Sequence, residues 1–221
     1  MARELFGQAL IDDLSSSLIA QRAGDHALKR GGEAFALRSI LHLVPASVHG
    51  VLLPLLTGFL NEGAGAAKVQ ATKAILFDKT QTANWNLRWH QDLTISLKEK
   101  LDIPGYGPWS TKVGVPHVQP PLEVMQSILA ARIHLDPCGE DNGALNVLPG
   151  SHLYGKLEED AVQKLRQEIE AVCLACSPGD VIFMRPLLLH SSKKAMRPEH
   201  RRVLHIEYSN MTLPSGLAWG G

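Results

Sequence analysis

The chain has 221 residues, of which 45% are hydrophobic, and its 22 basic residues equal its 22 acidic residues in number. This length predicts a single domain over residues 1–221, large enough to fold without disulfide bonds. A formal charge of zero gives no electrostatic reason to bind nucleic acid or an anionic membrane surface, so we expect a small-molecule partner.

The cysteines and the N-terminus bear on the cellular compartment. Cys173 and Cys176 form a CxxC pair, but a structural zinc site needs four ligands and no second pair of this kind follows. We therefore expect reduced cysteines. The first residues include Glu4 and lack the apolar core of a signal peptide. The longest apolar stretch, residues 51–60, is far shorter than the roughly 20 residues that span a bilayer. These features predict a cytoplasmic location.

The first 67 residues are predicted to be mostly helical and to support the rest of the chain. Leu10, Leu14 and Leu18 recur at helical spacing. Ser47–Leu60 predicts a second helix, which Pro54 either kinks or begins. Between the two helices, Ala34–Leu41 is expected to form a short strand.

Residues 68–210 have the texture of a β sandwich or barrel, so the fold is expected to be mainly β with flanking helices. Short apolar runs alternate there with clusters of Gly, Pro, Asn and Asp. One amphipathic segment near residues 157–172 predicts a helical insertion. Strands are predicted over Ala71–Phe77, Leu87–Leu93, Ser127–Leu135, Ala144–Leu148, Cys173–Ala175, Val181–His190 and Arg202–Tyr208.

Two H-x-D triplets stand out in the β region, His90-Gln91-Asp92 and His134-Leu135-Asp136. On a strand, residues i and i+2 point to the same side, so each triplet places an imidazole and a carboxylate together. Two histidines and one carboxylate on one face of an iron(II) ion leave positions open for a chelating cosubstrate and O₂. A third ligand would have to come from a distant part of the chain.

The surroundings favour the first triplet. Trp85 and Trp89 precede His90, and a long Gly/Pro-rich connection, residues 102–121, follows Asp92. Connections of that length often form lids over functional sites. In the second triplet Asp136 is followed at once by Pro137, where the strand already turns. His134 is then expected to be a polar residue on a barrel strand that does not touch metal.

The distal ligand is expected at His190, which ends the apolar run from Val181. Arg201 stands eleven positions later, and a guanidinium group can grip the far carboxylate of a cosubstrate at two points. Ser192, on the same strand face as His190, can add a hydroxyl group to that carboxylate. The alternative for Arg201 is a surface arginine within a basic cluster.

From Ala71 to Tyr208 the chain resembles the phytanoyl-CoA dioxygenase family of Fe(II)- and 2-oxoglutarate-dependent oxygenases. The matching motifs are, in the family's order, residues 89–92 (WHQD), residues 141–145 (DNGAL) running into residues 149–152 (PGSH), residues 178–180 (PGD), His190 with Ser192, and Arg201.

The resemblance implies a double-stranded β-helix, that is, a cupin-like jelly roll with helices outside it. It also implies Fe(II) on His90, Asp92 and His190, with 2-oxoglutarate bound by Arg201 and Ser192 and with O₂ as the oxidant. Trp109 corresponds, with a one-residue difference in spacing, to a family tryptophan near the cosubstrate. Because Asp92 is present, hydroxylation is favoured over the halogenation that a branch of the family performs.

For the substrate, the sequence offers only polar and aromatic residues near the predicted site. Lys79, Asn84 and Trp85 precede the iron-binding strand, and His117 lies in the long connection. A small metabolite, hydroxylated with release of succinate and CO₂, is the expected substrate. Two alternatives stay open: a cupin-like metal isomerase or dioxygenase that does not use 2-oxoglutarate, and a non-catalytic jelly roll that binds a ligand or a protein.

Overall fold

The computed structural model describes residues 1–21, 24, 27–30, 32–61, 67–196, 199–214 and 216–221. Its α-helices are α1 (Gln8–Ala20), α2 (Ala46–Leu60), α3 (Leu122–Gln126) and α4 (Glu159–Glu168). Its strands are β1 (Ala27–Arg30), β2 (Glu33–Arg38), β3 (Gln70–Lys79), β4 (Leu87–His90), β5 (Ile95–Ser96), β6 (Trp109–Lys112), β7 (Val115–Val118), β8 (Ile128–His134), β9 (Leu145–Val147), β10 (Val172–Leu174), β11 (Val181–Met184), β12 (His190–Ser192) and β13 (Arg201–Ser209).

Two antiparallel sheets form the jelly roll that the family resemblance implies. The six-stranded major sheet has the order β1-β2-β3-β13-β8-β11, and the four-stranded minor sheet has the order β10-β9-β12-β4. The chain moves repeatedly between the sheets, from β3 to β4, from β8 to β9 and from β11 to β12. The last strand, β13, pairs with both β3 and β8 and so lies in the middle of the major sheet.

The major sheet has one apolar face and one polar face because side chains alternate along its strands. Leu204, Ile206 and Tyr208 of β13 are fully buried on the outer face. The residues between them include His205 and Glu207, which face the minor sheet. A cavity therefore lies between the two sheets, lined on this side by charged groups.

Helices α1 and α2 cover the outer face of the major sheet. Each contributes buried residues at helical spacing, such as Ile11, Leu14 and Leu18 in α1 and every fourth residue from Val48 to Leu60 in α2. The predicted second helix is confirmed; it begins at Ala46, and Pro54 lies inside it. The first 67 residues are not helical throughout, because β1 and β2 extend the major sheet next to β3.

Among the predicted elements, two differ most from the structure in their bounds. The expected strand Val181–His190 is two strands, because the chain turns after Met184 and passes from β11 in the major sheet to β12 in the minor sheet. The helical insertion is shorter than its apolar periodicity suggests. Helix α4 ends at Glu168, and Val172 belongs to β10, where it is 43% exposed.

The long connection after Asp92 contains structure that the sequence analysis did not predict. β6 and β7 form a hairpin, and β7 pairs on its other side with β5. The two hairpin turn residues, Val113 and Gly114, both have positive φ, as a type I′ turn requires. This three-stranded sheet holds Lys112 and His117 over the mouth of the jelly roll.

Cys138, Cys173 and Cys176 are all free, and the backbones of Cys138 and Cys176 form an isolated β-bridge. Among the helices in the described ranges, none combines the length and the apolar character needed to cross a membrane.

Candidate metal centre

The cavity between the two sheets has a volume of about 270 Å³. This is slightly below the usual range for ligand pockets, roughly 300–1,000 Å³, so it suits small ligands. Its walls are formed by β2, β3, β8 and β13 on one side and by β4, β9 and β12 on the other. His90, Asp92 and His190 all line it.

The pairing of β4 with β12 brings two distant histidines together. His190 lies directly opposite His90 in the register, and the two ring centroids are 4.1 Å apart. Asp92 Oδ1 is 3.9 Å from His90 Nε2, and Asp92 Oδ2 is 3.8 Å from His190 Nε2. One ligand atom from each of the three residues lies within 4.8 Å of the others, which is suitable for a single metal ion.

Asp92 lies beyond the end of β4, and a backbone hydrogen bond holds it beside the two histidines. β4 ends at His90, and the Asp92 N–H donates a hydrogen bond to the Pro186 carbonyl at 2.9 Å. Between them, the buried Gln91 side chain donates to the carbonyls of Gly155 and Leu187 and accepts from Leu157 N–H. The i, i+2 spacing thus predicts the correct neighbours, but loop contacts set the geometry of Asp92.

Both histidines direct Nε2 at the cavity because their Nδ1 atoms face backbone carbonyls. His90 Nδ1 lies 2.9 Å from the Arg88 oxygen, and His190 Nδ1 lies 2.8 Å from the Leu188 oxygen. An Nδ1–H donated to a carbonyl leaves the Nε2 lone pair available for a metal. Burial lowers the pKa of His190 to about 4, so its ring is neutral at pH 7, as a ligand must be.

The Asp92 carboxyl is ionised at neutral pH. Burial alone raises its pKa, but electrostatic interaction with His190, followed by His205, Lys73 and His90, lowers the pKa overall to well below its usual range. Two imidazoles and one carboxylate on one side of a cavity are the donor set that suits non-haem iron(II). The residues present therefore fit this metal.

At one end of the cavity, Arg201 is buried, with 3% of its surface exposed. One Nη donates to the Gly143 carbonyl at 3.2 Å, and its Nε is buried with no hydrogen-bond partner among the described residues. Ser192 Oγ donates to the same carbonyl at 2.8 Å and accepts from Lys79 Nζ at 2.7 Å. A buried guanidinium with an unused donor fits a ligand carboxylate.

The second triplet has no comparable arrangement. His134 is 1% exposed, and neither ring nitrogen has a hydrogen-bond partner in the described structure. Asp136 accepts hydrogen bonds from the backbone N–H and the guanidinium of Arg202. Its carboxylate is therefore engaged in an ion pair and points to no second histidine.

The other predicted residues fall into two groups. Trp85 and His117 line the cavity. Asn84 and Trp109 do not: Asn84 exchanges two hydrogen bonds with the Ala195 backbone, and Trp109 packs in an apolar cluster around Ile95 and Val118. Lys79 is fully buried at the Arg201 end, where burial and the charge of Arg201 lower its pKa to about 7.

Several charged residues of the cavity were missed by the sequence analysis. They are Arg38, Lys73, Lys112, Arg132, His205 and Glu207. Four of them alternate with apolar residues on β3, β8 and β13. A polar residue at every second position of an otherwise apolar strand is a signal that can identify the inner face of a barrel.

The comparisons with known proteins agree with this geometry. A family model described as Phytanoyl-CoA dioxygenase (PhyH) matches residues 48–203. AviO1 from Streptomyces viridochromogenes Tue57 is 22% identical, with a TM-score of 0.61, and the match covers 94% of this chain and 85% of AviO1. A comparison with curated proteins found no match.

Two further solved structures have the same fold. SnoN, a non-heme alpha ketoglutarate dependent epimerase from nogalamycin biosynthesis, is 14% identical with a TM-score of 0.66, over 98% of this chain and 85% of SnoN. EctD from S. alaskensis, solved with 2-oxoglutarate and 5-hydroxyectoine, is 18% identical with a TM-score of 0.66, over 92% of this chain and 69% of EctD.

Proposed function

Because this chain belongs to the phytanoyl-CoA dioxygenase family, we propose that it is an Fe(II)- and 2-oxoglutarate-dependent oxygenase with His90, Asp92 and His190 as its metal ligands. The observation that carries the proposal is the convergence of these three donors within 4.8 Å at a cavity between the sheets. The two relatives whose names or bound molecules include 2-oxoglutarate support the choice of cosubstrate.

The proposed reaction is hydroxylation of a small metabolite. When bound, iron with 2-oxoglutarate and O₂ supplies the oxidation of a C–H bond, while the cosubstrate leaves as succinate and CO₂. The residues of this chain bind and orient the reactants and exclude water. His90 and His190 present their Nε2 atoms to the cavity, and the ionised Asp92 completes a set that would occupy one side of the metal.

Arg201 and Ser192 are proposed to bind the distal carboxylate of 2-oxoglutarate. Both line the cavity, and the unused Nε of Arg201 is a donor for that carboxylate. A carboxylate there also stabilises the protonated form of Lys79, whose pKa of about 7 reflects burial and the nearby Arg201 charge. Trp109 belongs to the hairpin strand β6 and packs in the apolar cluster around Ile95 and Val118, so it would act on the cosubstrate only by positioning the hairpin.

The test is succinate release from 2-oxoglutarate by the Fe(II)-loaded protein, together with binding of Mn(II), which does not support turnover. The proposal expects Mn(II) to bind at one site per chain and 2-oxoglutarate to bind more tightly when Mn(II) is present. The proposal would be contradicted if Mn(II) did not bind, or if the affinity for 2-oxoglutarate were the same with and without Mn(II).

Arg201→Lys provides the sharper experiment. Lysine keeps the charge but loses the two-point grip, so we expect the affinity for 2-oxoglutarate to fall about tenfold. The affinity for Mn(II) should change less than about threefold, because Arg201 touches none of the ligands. Arg166→Gln, on the exposed side of α4, is the matched control. If 2-oxoglutarate binding is unchanged in Arg201→Lys, this carboxylate site is wrongly assigned.

A further inference from the structure

The cavity holds more positive charge than its proposed contents require. In the described part of the chain its lining includes five cationic side chains and two carboxylates: Arg38, Lys73, Lys112, Arg132 and Arg201, with Asp92 and Glu207. The excess is three positive charges. Iron(II) and the 2-oxoglutarate dianion carry opposite charges of equal size, so their binding leaves that excess unchanged.

One of the cations is already paired. Lys73 Nζ lies 2.6 Å from Glu207 Oε1, and both side chains are almost fully buried. His205 Nε2 is 3.2 Å from the same carboxylate oxygen. Glu207 is therefore engaged by two neighbours and is poorly placed to neutralise further cations.

Two unpaired cations, Arg38 and Lys112, lie at the opposite end of the cavity from Arg201. On β13, Glu207 is six residues beyond Arg201, roughly 20 Å along the strand. Arg38 enters from β2, paired with Ile75 of β3, one inward-facing position from Lys73. Lys112 enters from the hairpin strand β6. The cosubstrate end and the Arg38 end are thus separate.

Arg38 and Lys112 both have hydrogen-bond donors that are available for a ligand. Arg38 Nε is buried without a hydrogen-bond partner in the described ranges, and no described carboxylate forms an ion pair with this guanidinium. Lys112 Nζ has one long contact, 3.4 Å to Thr94 Oγ1. Burial lowers the pKa of both groups, and the charges of Arg38 and Lys73 lower that of Lys112 further. An anion between them would relieve this repulsion.

Two aromatic rings of the lining lie toward the Arg201 end, because the Trp85 ring centroid is 5.4 Å from Lys79 Nζ and the next residue after Phe35, Ala36, pairs with Phe77. Phe35 and Trp85 line the cavity and meet edge to face, with ring centroids 5.5 Å apart. His117, also in the lining, has a pKa lowered to about 4 by burial, so it is uncharged at pH 7. With Nδ1 3.0 Å from the Val115 carbonyl, its Nε2 can accept a hydrogen bond.

We propose that Arg38 and Lys112 bind an oxyanion of the substrate, a carboxylate or a phosphate, and that the substrate is a small anion with an apolar body. This inference rests on the proposed function, because it assigns the Arg201 end to 2-oxoglutarate. Arg38 supplies a planar two-point grip and Lys112 a point charge, and the apolar body extends from them along the cavity toward Phe35 and Trp85. Arg38 comes from the major-sheet strand β2 and Lys112 from the hairpin strand β6.

The experiment uses the full chain loaded with Mn(II) and saturating 2-oxoglutarate, so that the Arg201 end is filled. Calorimetry then measures binding of matched probes that differ in charge: a set of small cyclic and aromatic monocarboxylates, their primary amides and their phosphate esters. We expect carboxylates or phosphate esters to bind at least about tenfold more tightly than the amides of the same shape. The better class identifies the oxyanion.

Variants separate this site from the cosubstrate site. Arg38→Gln and Lys112→Gln should each remove most of the preference for anions while leaving Mn(II) and 2-oxoglutarate affinities unchanged. Lys98→Gln, an exposed lysine near the same hairpin, should change none of these quantities.

Three results would overturn the inference. They are equal affinity for the acids and their amides, no binding of any anionic probe at millimolar concentration, and loss of 2-oxoglutarate binding in Arg38→Gln. Failure of the wild-type protein to bind Mn(II) and 2-oxoglutarate at the first step would instead reject the proposed function.

Discussion

The two H-x-D triplets have the same spacing but different surroundings. His90 and Asp92 follow a short strand of the minor sheet, and His190 from the neighbouring strand faces them across the register. His134 ends a long strand of the major sheet, and Asp136 is bound by Arg202. In the first triplet the carboxylate is free to meet two imidazoles; in the second it neutralises a guanidinium.

The middle residues of the two triplets, Gln91 and Leu135, also have different surroundings. Gln91 uses its side-chain amide to fasten three backbone groups of the surrounding loops. Leu135 is an apolar residue of the core between the major sheet and the helices. A triplet is suited to bind metal when its carboxylate forms no ion pair with an arginine and a second histidine lies opposite. Its middle residue should also be held in place by hydrogen bonds.

The largest expected effect is a loss of turnover when the first triplet is changed but not when the second is changed. Asp92→Ala should reduce Fe(II)-dependent succinate release to background, because two imidazoles alone hold iron(II) weakly. His134→Ala should retain measurable turnover, since His134 contacts neither the proposed ligands nor Arg201 through a hydrogen bond. Metal content and circular dichroism should be measured on both. A His134 variant that alone loses iron would show that the wrong triplet was chosen.

The second prediction concerns stability. Asp136→Ala leaves the Arg202 guanidinium and a backbone N–H without their acceptor, so the free energy of unfolding should fall by roughly 3 kcal/mol. Denaturant titration measures this loss. Asp102→Ala, at an exposed position, should cost less than about 0.5 kcal/mol. Mn(II) affinity should stay at the wild-type level in both variants, and a selective loss of metal would refute a purely structural role.

The third prediction concerns pH. Burial lowers the pKa of His134 to about 3, from 6.5, so below pH 6.5 the unfolded chain takes up a proton that the folded chain does not. Stability is therefore highest above pH 6.5 and falls as the pH decreases toward 3. Between pH 6.5 and 4.5, His134 should account for about 2–3 kcal/mol of this fall.

The variant His134→Gln tests whether His134 makes the protein less stable as the pH falls. The metal-free variant should lose less unfolding free energy than the metal-free wild type over the same interval. His190 and His117, which also have lowered pKa values, keep part of the slope in both proteins. Identical slopes for variant and wild type would mean that His134 protonates as readily in the folded state as in the unfolded one.

The smallest predicted effect lies in the middle of the first triplet. Gln91→Leu keeps the volume but frees the carbonyls of Gly155 and Leu187, so Asp92 loses an anchored neighbour. We expect Mn(II) affinity to fall about tenfold, as is typical for residues that support metal ligands. The exposed Gln167→Leu serves as the reference for a general effect of the substitution. Unchanged Mn(II) affinity would assign the positioning of Asp92 to its backbone bond with Pro186 alone.

The sequence predicted a β sandwich or barrel because the evidence for strands is local, and the family resemblance narrowed this prediction to a jelly roll. Apolar runs, turn residues and the shift from helical to strand periodicity can be read within ten residues of each other. The break after Met184 was missed because Leu187, Leu188 and Leu189 continue the apolar run through the turn. The hairpin of β6 and β7 was missed because its strands contain Ser110, Pro116 and other residues atypical of a sheet core.

What the sequence determined by itself is the type and spacing of donors: two H-x-D triplets, a histidine at the end of an apolar run and an arginine eleven residues later. The tertiary structure alone decided that His190 stands opposite His90, one hundred positions away, and that Arg38 and Lys112 enter the same cavity. Side-chain alternation is a property of neighbouring residues, whereas the pairing of remote strands depends on how the whole core packs.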